Sequence, residues 1–191
     1  MSIRLAIVGL GRLGYEHAKN IHYRIPGAEL TAICSVVQEE LDRVSSEMSP
    51  KLVTTSFDEL LEKKEQFDAL VIATNSQTHA ELIVRSAEAG IKNIYTEKPI
   101  GMNMEELDRI KNAVQARSDL LFQVGYNHRF DRDLMEAREK IQKGYVGKPV
   151  VIRVISRDQT GIEDFIVKFS PTSGGLVADM MTHDYDTARW L

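Results

Sequence analysis

The stretch RLAIVGLGRLG, residues 4–14, places an unbroken apolar run directly before a loop that carries three glycines. The run predicts a buried strand, and the residues after the loop have the pattern of a helix that extends to about Tyr23. Gly9, Gly11 and Gly14 have the spacing G-x-G-x-x-G. In a strand–loop–helix unit the first glycine permits a tight turn, the second admits a pyrophosphate, and the third lets helix and strand pack closely. The stretch therefore predicts dinucleotide binding; a tight turn that binds nothing is the alternative.

The same strand–helix alternation continues along the chain. Further strands are predicted at 29–37, 51–55, 68–74, 92–97 and 120–126, with a helix after each of the first four. Such alternation predicts an α/β fold of the Rossmann type, a doubly wound parallel sheet with helices on both faces. We expect residues 1–124 to form this dinucleotide-binding domain.

The regular alternation of strands and helices ends at about residue 124. A helix at about 133–143, a long strand at 147–158 and a closing helix are predicted there. We expect residues 125–191 to begin a second, α+β domain for substrate binding and oligomerisation, and to leave it incomplete.

Composition excludes several classes of protein. The 24 basic and 28 acidic residues give a net charge of −4, and no Lys/Arg cluster is present, so nucleic acid is not an expected partner. No apolar run approaches the roughly 20 residues of a membrane helix, so no membrane partner is expected. The single cysteine, Cys34, fits a reducing cytoplasm and is interpreted as a buried structural thiol.

The end of the second strand bears on cofactor choice. A site that prefers NAD normally has an acid there, which binds the ribose hydroxyls. Ser35 holds that place, and Glu39 and Glu40 lie further on, in the next helix. A serine tolerates the 2′-phosphate of NADP, but no arginine follows it; Arg12 could pair with that phosphate or could be a solvated residue at the helix start. NAD is predicted, and NADP is the alternative.

The last 19 residues, SGGLVADMMTHDYDTARWL (173–191), contain an acid and a histidine one helical turn apart. Asp179 and His183 are four residues apart, so they share a helix face, and the carboxylate favours a protonated imidazole. A histidine that titrates near neutrality suits the proton transfer of alcohol oxidation. A helix with a merely polar face is the alternative. A metal-dependent hydrolase built on His183, Asp184 and Asp186 is disfavoured, because adjacent helical residues point apart.

The segment YTEKPIGMN, residues 95–103, follows a predicted strand at the carboxyl edge of the sheet, where open α/β sheets bind ligands. Pro99 keeps Lys98 out of helical geometry. Lys98 is therefore a candidate to bind or polarise a substrate hydroxyl, with an ordinary surface charge as the alternative.

Five blocks of this sequence resemble the signature blocks, in order, of the glucose–fructose oxidoreductase, inositol dehydrogenase and MocA (Gfo/Idh/MocA) family. They are GLGRLGYEHAKN, ATNSQTHAELIVRSAEAG, TEKPIGMN, GYNHRFD and SGGLVADMMTHDYDTARWL. ISRD, residues 155–158, resembles the inositol 2-dehydrogenase branch in particular, whereas Ser35 departs from the acid common in that branch.

The resemblance implies roles for particular residues. The catalytic set would be Lys98, Asp179 and His183. Residues implied to line the cofactor are Gly9, Gly11, Arg12, Leu13, Gly14, Ser35, Ala73, Thr74, Asn75, His79, Glu97 and Lys98. Residues implied to bind substrate are Asn127, Arg157, Asp158, Asp179 and His183. Arg129 is interpreted as a structural residue that forms a salt bridge between the domains.

The resemblance further implies an NAD(P)-dependent dehydrogenase that acts on a cyclic polyol or sugar, inositol-like by its branch. The family's second domain is an open β-sheet that covers the cofactor cleft and often mediates oligomerisation. We therefore expect a C-terminally truncated member whose full-length form is a homo-oligomer. A dinucleotide-binding module without catalysis is the alternative, which would not need Lys98, Asp179 and His183.

Overall fold

A computed structural model describes residues 2–157, 161, 167, 170 and 173–191. The chain divides into two compact units, Met1–Val124 and Gly125–Leu191. The strands of the first unit are β1 Ile3–Val8, β2 Ala28–Cys34, β3 Leu52–Thr54, β4 Ala69–Ile72, β5 Asn93–Thr96 and β6 Leu121–Val124. Its helices are α1 Arg12–Tyr23, α2 Gln38–Met48, α3 Phe57–Glu62, α4 Ser76–Glu88 and α5 Met104–Gln115.

The six strands form one parallel sheet in the order β3-β2-β1-β4-β5-β6. The predicted Rossmann-type, doubly wound sheet is confirmed. The order reverses between β1 and β4, and ligands of open α/β sheets bind in the crevice at such a point, outside the carboxyl ends of the strands.

Both faces of the sheet are buried. Successive residues of β1 pack into opposite cores: Ala6 and Val8 lie in one cluster and Ile7 in the other. Leu70 and Ile72 of β4 join the first of these clusters. A strand covered by helices on both faces has no polar alternation, which explains the unbroken apolar runs in the sequence.

The second strand is shorter than the predicted 29–37, because the chain turns at Ser35. The Ser35 amide donates to the Thr54 carbonyl, and the Ser35 hydroxyl accepts a hydrogen bond from the Val37 amide. Val37 then becomes the N-cap of α2. The Val37 amide thus donates to the Ser35 side chain and not to a neighbouring strand. This local bond turns the backbone towards α2.

Cys34, the last residue of β2, is 2% exposed. Burial, together with the nearby charge of Glu59, raises the pKa of the thiol to about 11. The thiol is protonated at neutral pH, as expected of a buried structural cysteine.

The regular secondary structure described in the second unit is helical. A 3₁₀ turn at Asn127–Phe130 leads into α6, Arg132–Gln142, and a π-helical turn at Leu176–Met180 leads into α7, Met181–Trp190. The strand predicted at 147–158 is wrong over residues 147–157, which pair with no strand within the described part of the chain. Val150 and Val151 are 92% and 81% exposed there. A β-rich sequence does not form a strand without a hydrogen-bonded neighbour. No helix in the described residues is long and apolar enough to cross a membrane.

Candidate functional site

The glycine loop after β1 packs on the loop after β4. Gly9 has φ +86°, and a Cβ placed there would come within 2.7 Å of the backbone of Ala73 and Thr74. A Cβ on Gly14 would lie 1.9 Å from the carbonyl oxygen of Gly9. Both positions therefore require glycine for the fold itself, and they join the loops on either side of the switch point.

Gly11 has a different environment. It is the N-cap of α1, has φ −61°, and gives the helix no side-chain cap. Of the described residues, only Glu40 comes within 4 Å of a Cβ built on Gly11, with its Oε1 at 3.7 Å. The fold does not need a glycine here, so the open space beside the start of α1 is available to a ligand. The exposed residues Arg12 and Leu13 begin the helix.

Ser35 follows β2 and is 5% exposed. Its hydroxyl donates to Oε2 of Glu40 at 2.6 Å, and Glu40 belongs to the first turn of α2. The end of β2 therefore does have a carboxylate beside it, supplied by the next helix.

The loop after β4 contains Ala73, Thr74 and Asn75. Ala73 is buried, Thr74 is half-buried and Asn75 is exposed. The Thr78 hydroxyl donates to the Thr74 hydroxyl at 2.7 Å, which ties the loop to the first turn of α4.

His79, on α4, is 1% exposed. Its Nδ1 lies 2.7 Å from the carbonyl oxygen of Pro99, and its Nε2 lies 3.2 Å from that of Thr74. Both ring nitrogens thus contact backbone of two loops predicted to line the cofactor. This geometry favours a positioning role for His79 over direct contact with a ligand.

At the end of β5, Glu97 accepts two hydrogen bonds on Oε1. His17 Nε2 lies 2.8 Å away, and the Tyr95 hydroxyl donates at 2.9 Å. Burial by itself would raise the pKa of Glu97, but these bonds and the nearby His17 and Lys98 hold that pKa below its usual value. Burial and the adjacent carboxylate raise the pKa of Tyr95, which keeps the phenol a donor. Glu97 is an oriented carboxylate at the ligand edge of the sheet.

Lys98 follows Glu97 and is half-buried. The peptide bond between Lys98 and Pro99 is cis, and the Pro99 carbonyl is the group that contacts His79. The lysine therefore belongs to a loop anchored on one side by β5 and on the other by a buried histidine.

In the second unit, Asp179 lies in the π-helical turn and His183 in the first turn of α7. The imidazole of His183 stacks on that of His128, with centroids 4.7 Å apart and planes at 26°. Tyr126 approaches the same imidazole edge-on at 6.3 Å. Rings from the segment before α6 thus pack on the imidazole predicted to accept a proton. A single π-helical turn inside a helix is frequently found at functional sites.

The other acids of α7 have separate partners. Asp186 forms a two-point ion pair with Arg129, at 2.7 Å and 2.5 Å. Both residues belong to the second unit, so the salt bridge expected between domains lies within one unit instead. Asp184 accepts a hydrogen bond from Ser156. Among the described residues, no three His, Cys, Asp or Glu side chains come together as metal ligands.

The remaining predicted substrate residues lie on the surface of the second unit. Asn127 and Arg157 are exposed, and Arg157 has no regular secondary structure. Asp158 lies outside the described residues.

Comparison with known sequences decides the family. Residues 3–126 match the Gfo/Idh/MocA oxidoreductase family, whose description is an NAD-binding Rossmann fold, and residues 134–191 match a Gfo/Idh/MocA C-terminal domain. The chain belongs to the Gfo/Idh/MocA family.

Relatives in this family include inositol dehydrogenases. The chain is 35% identical to the scyllo-inositol 2-dehydrogenase (NAD(+)) of Bacillus subtilis, over 99% of this chain and 54% of that protein. It is 32% identical to the myo-inositol 2-dehydrogenase of Thermotoga maritima, over 99% of this chain and 54% of the relative. The chain spans about half the length of the curated relatives it matches.

Solved structures give the same result. The scyllo-inositol dehydrogenase of Lactobacillus casei, with bound NAD(H) and scyllo-inositol, superposes with a TM-score of 0.92 at 36% identity. That match covers 100% of this chain and 56% of the other. The myo-inositol 2-dehydrogenase of Lactobacillus plantarum superposes with a TM-score of 0.90 at 30% identity.

Sequence reasoning missed several contacts of the predicted site residues within each unit. His17 lies three residues after Gly14 and contacts Glu97, 80 residues away, so no local pattern linked them. His128 lies inside the GYNHRFD block, but its stacking on His183 joins residues 55 positions apart. Glu40 was assigned to the next helix, yet its side chain reaches back to the end of β2.

Proposed function

We propose that this chain supplies the cofactor-binding half and the proton-transfer residues of an NAD-dependent dehydrogenase that oxidises a cyclic polyol of the inositol class. The observation that carries the proposal is the environment of Gly11. The fold leaves the side-chain position of this residue open at the start of a helix, at the switch point of a doubly wound sheet.

The residues present fit a dinucleotide. The first amides of α1 have no side-chain cap, so they are suited to a pyrophosphate, and the helix dipole favours its negative charge. Arg12 and Leu13 would flank the phosphates, and Ala73, Thr74 and Asn75 would line the cofactor from the neighbouring loop. Glu97 and Lys98, after β5, would lie at the nicotinamide end. NAD+ when bound supplies the hydride acceptor.

The chain's own residues would handle the hydroxyl. His183 takes the proton of the reacting hydroxyl, and Asp179 orients the imidazole and stabilises its charged form. Lys98 would bind a substrate hydroxyl oxygen and stabilise the negative charge that develops there as its proton leaves. Loss of that proton and of a hydride from the carbon leaves a carbonyl group, so the product is a ketone.

The inositol class is supported by the names of the relatives and by the scyllo-inositol bound in a related structure. Asn127 and Arg157 are the described candidates for binding the remaining ring hydroxyls, since an amide and a guanidinium both donate to hydroxyl oxygens. Asp158 is proposed with them from the sequence.

Assembly and location are proposed on sequence grounds. Homo-oligomerisation of the whole protein stays a prediction from the family resemblance, as does the expectation that nucleic acid is not a partner. A cytoplasmic location stays a prediction from the single cysteine.

The test is NADH formation from NAD+ and inositol by the protein at the full length of its relatives. We expect turnover with scyllo- or myo-inositol and little with glycerol, an acyclic polyol that cannot match the ring hydroxyls. A protein that binds NADH but oxidises no cyclic polyol would contradict the substrate class. A protein that binds neither dinucleotide would contradict the proposed function as a whole.

A further inference from the structure

The end of β2 lacks the acid that normally selects NAD, and the residues there do not replace it. Ser35 is buried, and the next two residues are valines: Val36 is 88% exposed and Val37 41%. A valine side chain has no atom that can bind a ribose hydroxyl. A carboxylate at this place would have to come from elsewhere in the fold.

Glu40 brings a carboxylate to this place. Its Oε2 accepts the 2.6 Å hydrogen bond from the Ser35 hydroxyl, whose oxygen in turn accepts from the Val37 amide at 3.2 Å. The hydroxyl is therefore fixed by the backbone and has one hydrogen to give, which it gives to Glu40. The carboxylate also lies in the first turn of α2, where the helix dipole stabilises negative charge.

The other carboxylate oxygen, Oε1, is directed towards the glycine loop. It lies 3.7 Å from the position of a Cβ on Gly11, the glycine whose open side is the approach to the pyrophosphate. Glu40 thus bridges the end of β2 and the glycine loop. In dinucleotide-binding folds the acid that binds the ribose 2′-hydroxyl lies about 20 residues beyond the glycine loop, at the end of the second strand. The Glu40 carboxylate lies beside that position.

We infer that Glu40 is the ribose-binding carboxylate of this chain, that Ser35 positions it, and that together they select NAD over NADP. The inference rests on the proposed function, and it assigns the cofactor preference of the dehydrogenase to Glu40, a residue of α2. A 2′-hydroxyl donates to the carboxylate, whereas a 2′-phosphate would place two negative charges side by side.

Besides Arg12, Arg43 could support the opposite preference, because it lies one turn beyond Glu40 along α2. Its Nη2 donates to the Leu10 carbonyl at 2.9 Å, and its guanidinium lies 4.0 Å from the centre of the Tyr15 ring. These contacts hold Arg43 against the glycine loop. Selection of NADP through Arg43 would require this side chain to leave both contacts for a phosphate that Glu40 repels.

The experiment measures NADH and NADPH dissociation constants by fluorescence titration of this chain and its variants, without any turnover. Wild type should bind NADH more tightly. Glu40→Gln removes the charge at constant shape, and we expect the ratio of the NADPH constant to the NADH constant to fall by roughly 10- to 100-fold, the usual contribution of hydrogen bonds to charged groups. Ser35→Ala should also lower this ratio, but by a smaller factor than Glu40→Gln.

Glu39→Gln is the matched control, because it removes one charge from the same helical turn at an exposed side chain. Its ratio should stay at the wild-type value. Equal effects of Glu39→Gln and Glu40→Gln would reduce the role of Glu40 to general electrostatics and overturn the inference. The inference would also be overturned if wild type bound NADPH more tightly than NADH, or if Glu40→Gln left the ratio of the two dissociation constants unchanged. These outcomes leave dinucleotide binding intact, whereas a wild type that binds neither cofactor contradicts the proposed function itself.

Discussion

His17 Nε2 and Glu97 Oε1 lie 2.8 Å apart, although the two residues are 80 positions apart in the sequence. His17 belongs to α1, which opens at the glycine loop, and Glu97 follows β5. Their side chains are 27% and 14% exposed. One hydrogen-bonded pair thus fixes the carboxylate beside Lys98 to the helix that begins at the proposed pyrophosphate site.

The pH dependence of stability should report this pair. Because the pKa of Glu97 is lowered below 4.5 in the folded state, its favourable environment contributes fully above pH 4.5. That contribution is lost as the pH falls through the lowered folded-state pKa. The difference in unfolding free energy between wild type and Glu97→Gln should therefore be largest near neutrality and shrink below pH 4.5, as measured by urea denaturation at several pH values.

Glu62→Gln, at an exposed side chain at the end of α3, controls for the loss of one negative charge. A difference between wild type and Glu97→Gln that does not change between pH 7 and pH 3 would contradict the account of the His17–Glu97 pair.

The glycines of the loop should separate folding from binding. Gly14→Ala places a Cβ 1.9 Å from the Gly9 carbonyl oxygen, so we expect a loss of stability of about 1–3 kcal/mol or more. Gly11→Val meets only a side-chain oxygen at 3.7 Å among the described residues, so the melting temperature without ligand should change little. The same valine should abolish the rise in melting temperature that NADH gives to wild type, because it occupies the approach to the pyrophosphate. A Gly11→Val protein that NADH still stabilises would place the cofactor elsewhere.

His79 should matter for the loops that it joins. His79→Phe keeps a ring in the buried space but leaves the Pro99 and Thr74 carbonyl oxygens without their imidazole contacts. An unsatisfied buried polar group costs about 1–3 kcal/mol, so unfolding in urea should show a loss of that size. NADH affinity should also fall, since both loops are proposed to line the cofactor. Gln77→Ala, exposed on the same helix, is the control and should change neither quantity.

The first unit could be predicted well because its signals are local. Apolar runs gave the buried strands, and the spacing of three glycines gave the turn after β1. The exact end of β2 could not be predicted, because Val36 and Val37 have high β-propensity, and a side-chain hydrogen bond from Ser35 overrides it.

Contacts between distant segments lay beyond the sequence patterns. The strand predicted at 147–158 depends on a neighbouring strand, and the propensity of Val150 and Val151 carries no information about whether one is present. The partner of Arg129 likewise depends on tertiary structure. It is Asp186, a residue of the same unit. Glu40 shows the same limit, since the pattern expects an acid at the end of β2 and the carboxylate found beside that end belongs to a residue five positions after Ser35.

The central claim is that His183 accepts the proton when a cyclic polyol is oxidised. The most direct measurement compares inositol-dependent NADH formation by wild type and His183→Asn at the full length of the relatives. A positioned general base contributes about 10²–10⁴-fold, so the variant should lose turnover on that order while its NADH dissociation constant stays at the wild-type value. Wild-type turnover in His183→Asn would contradict the account.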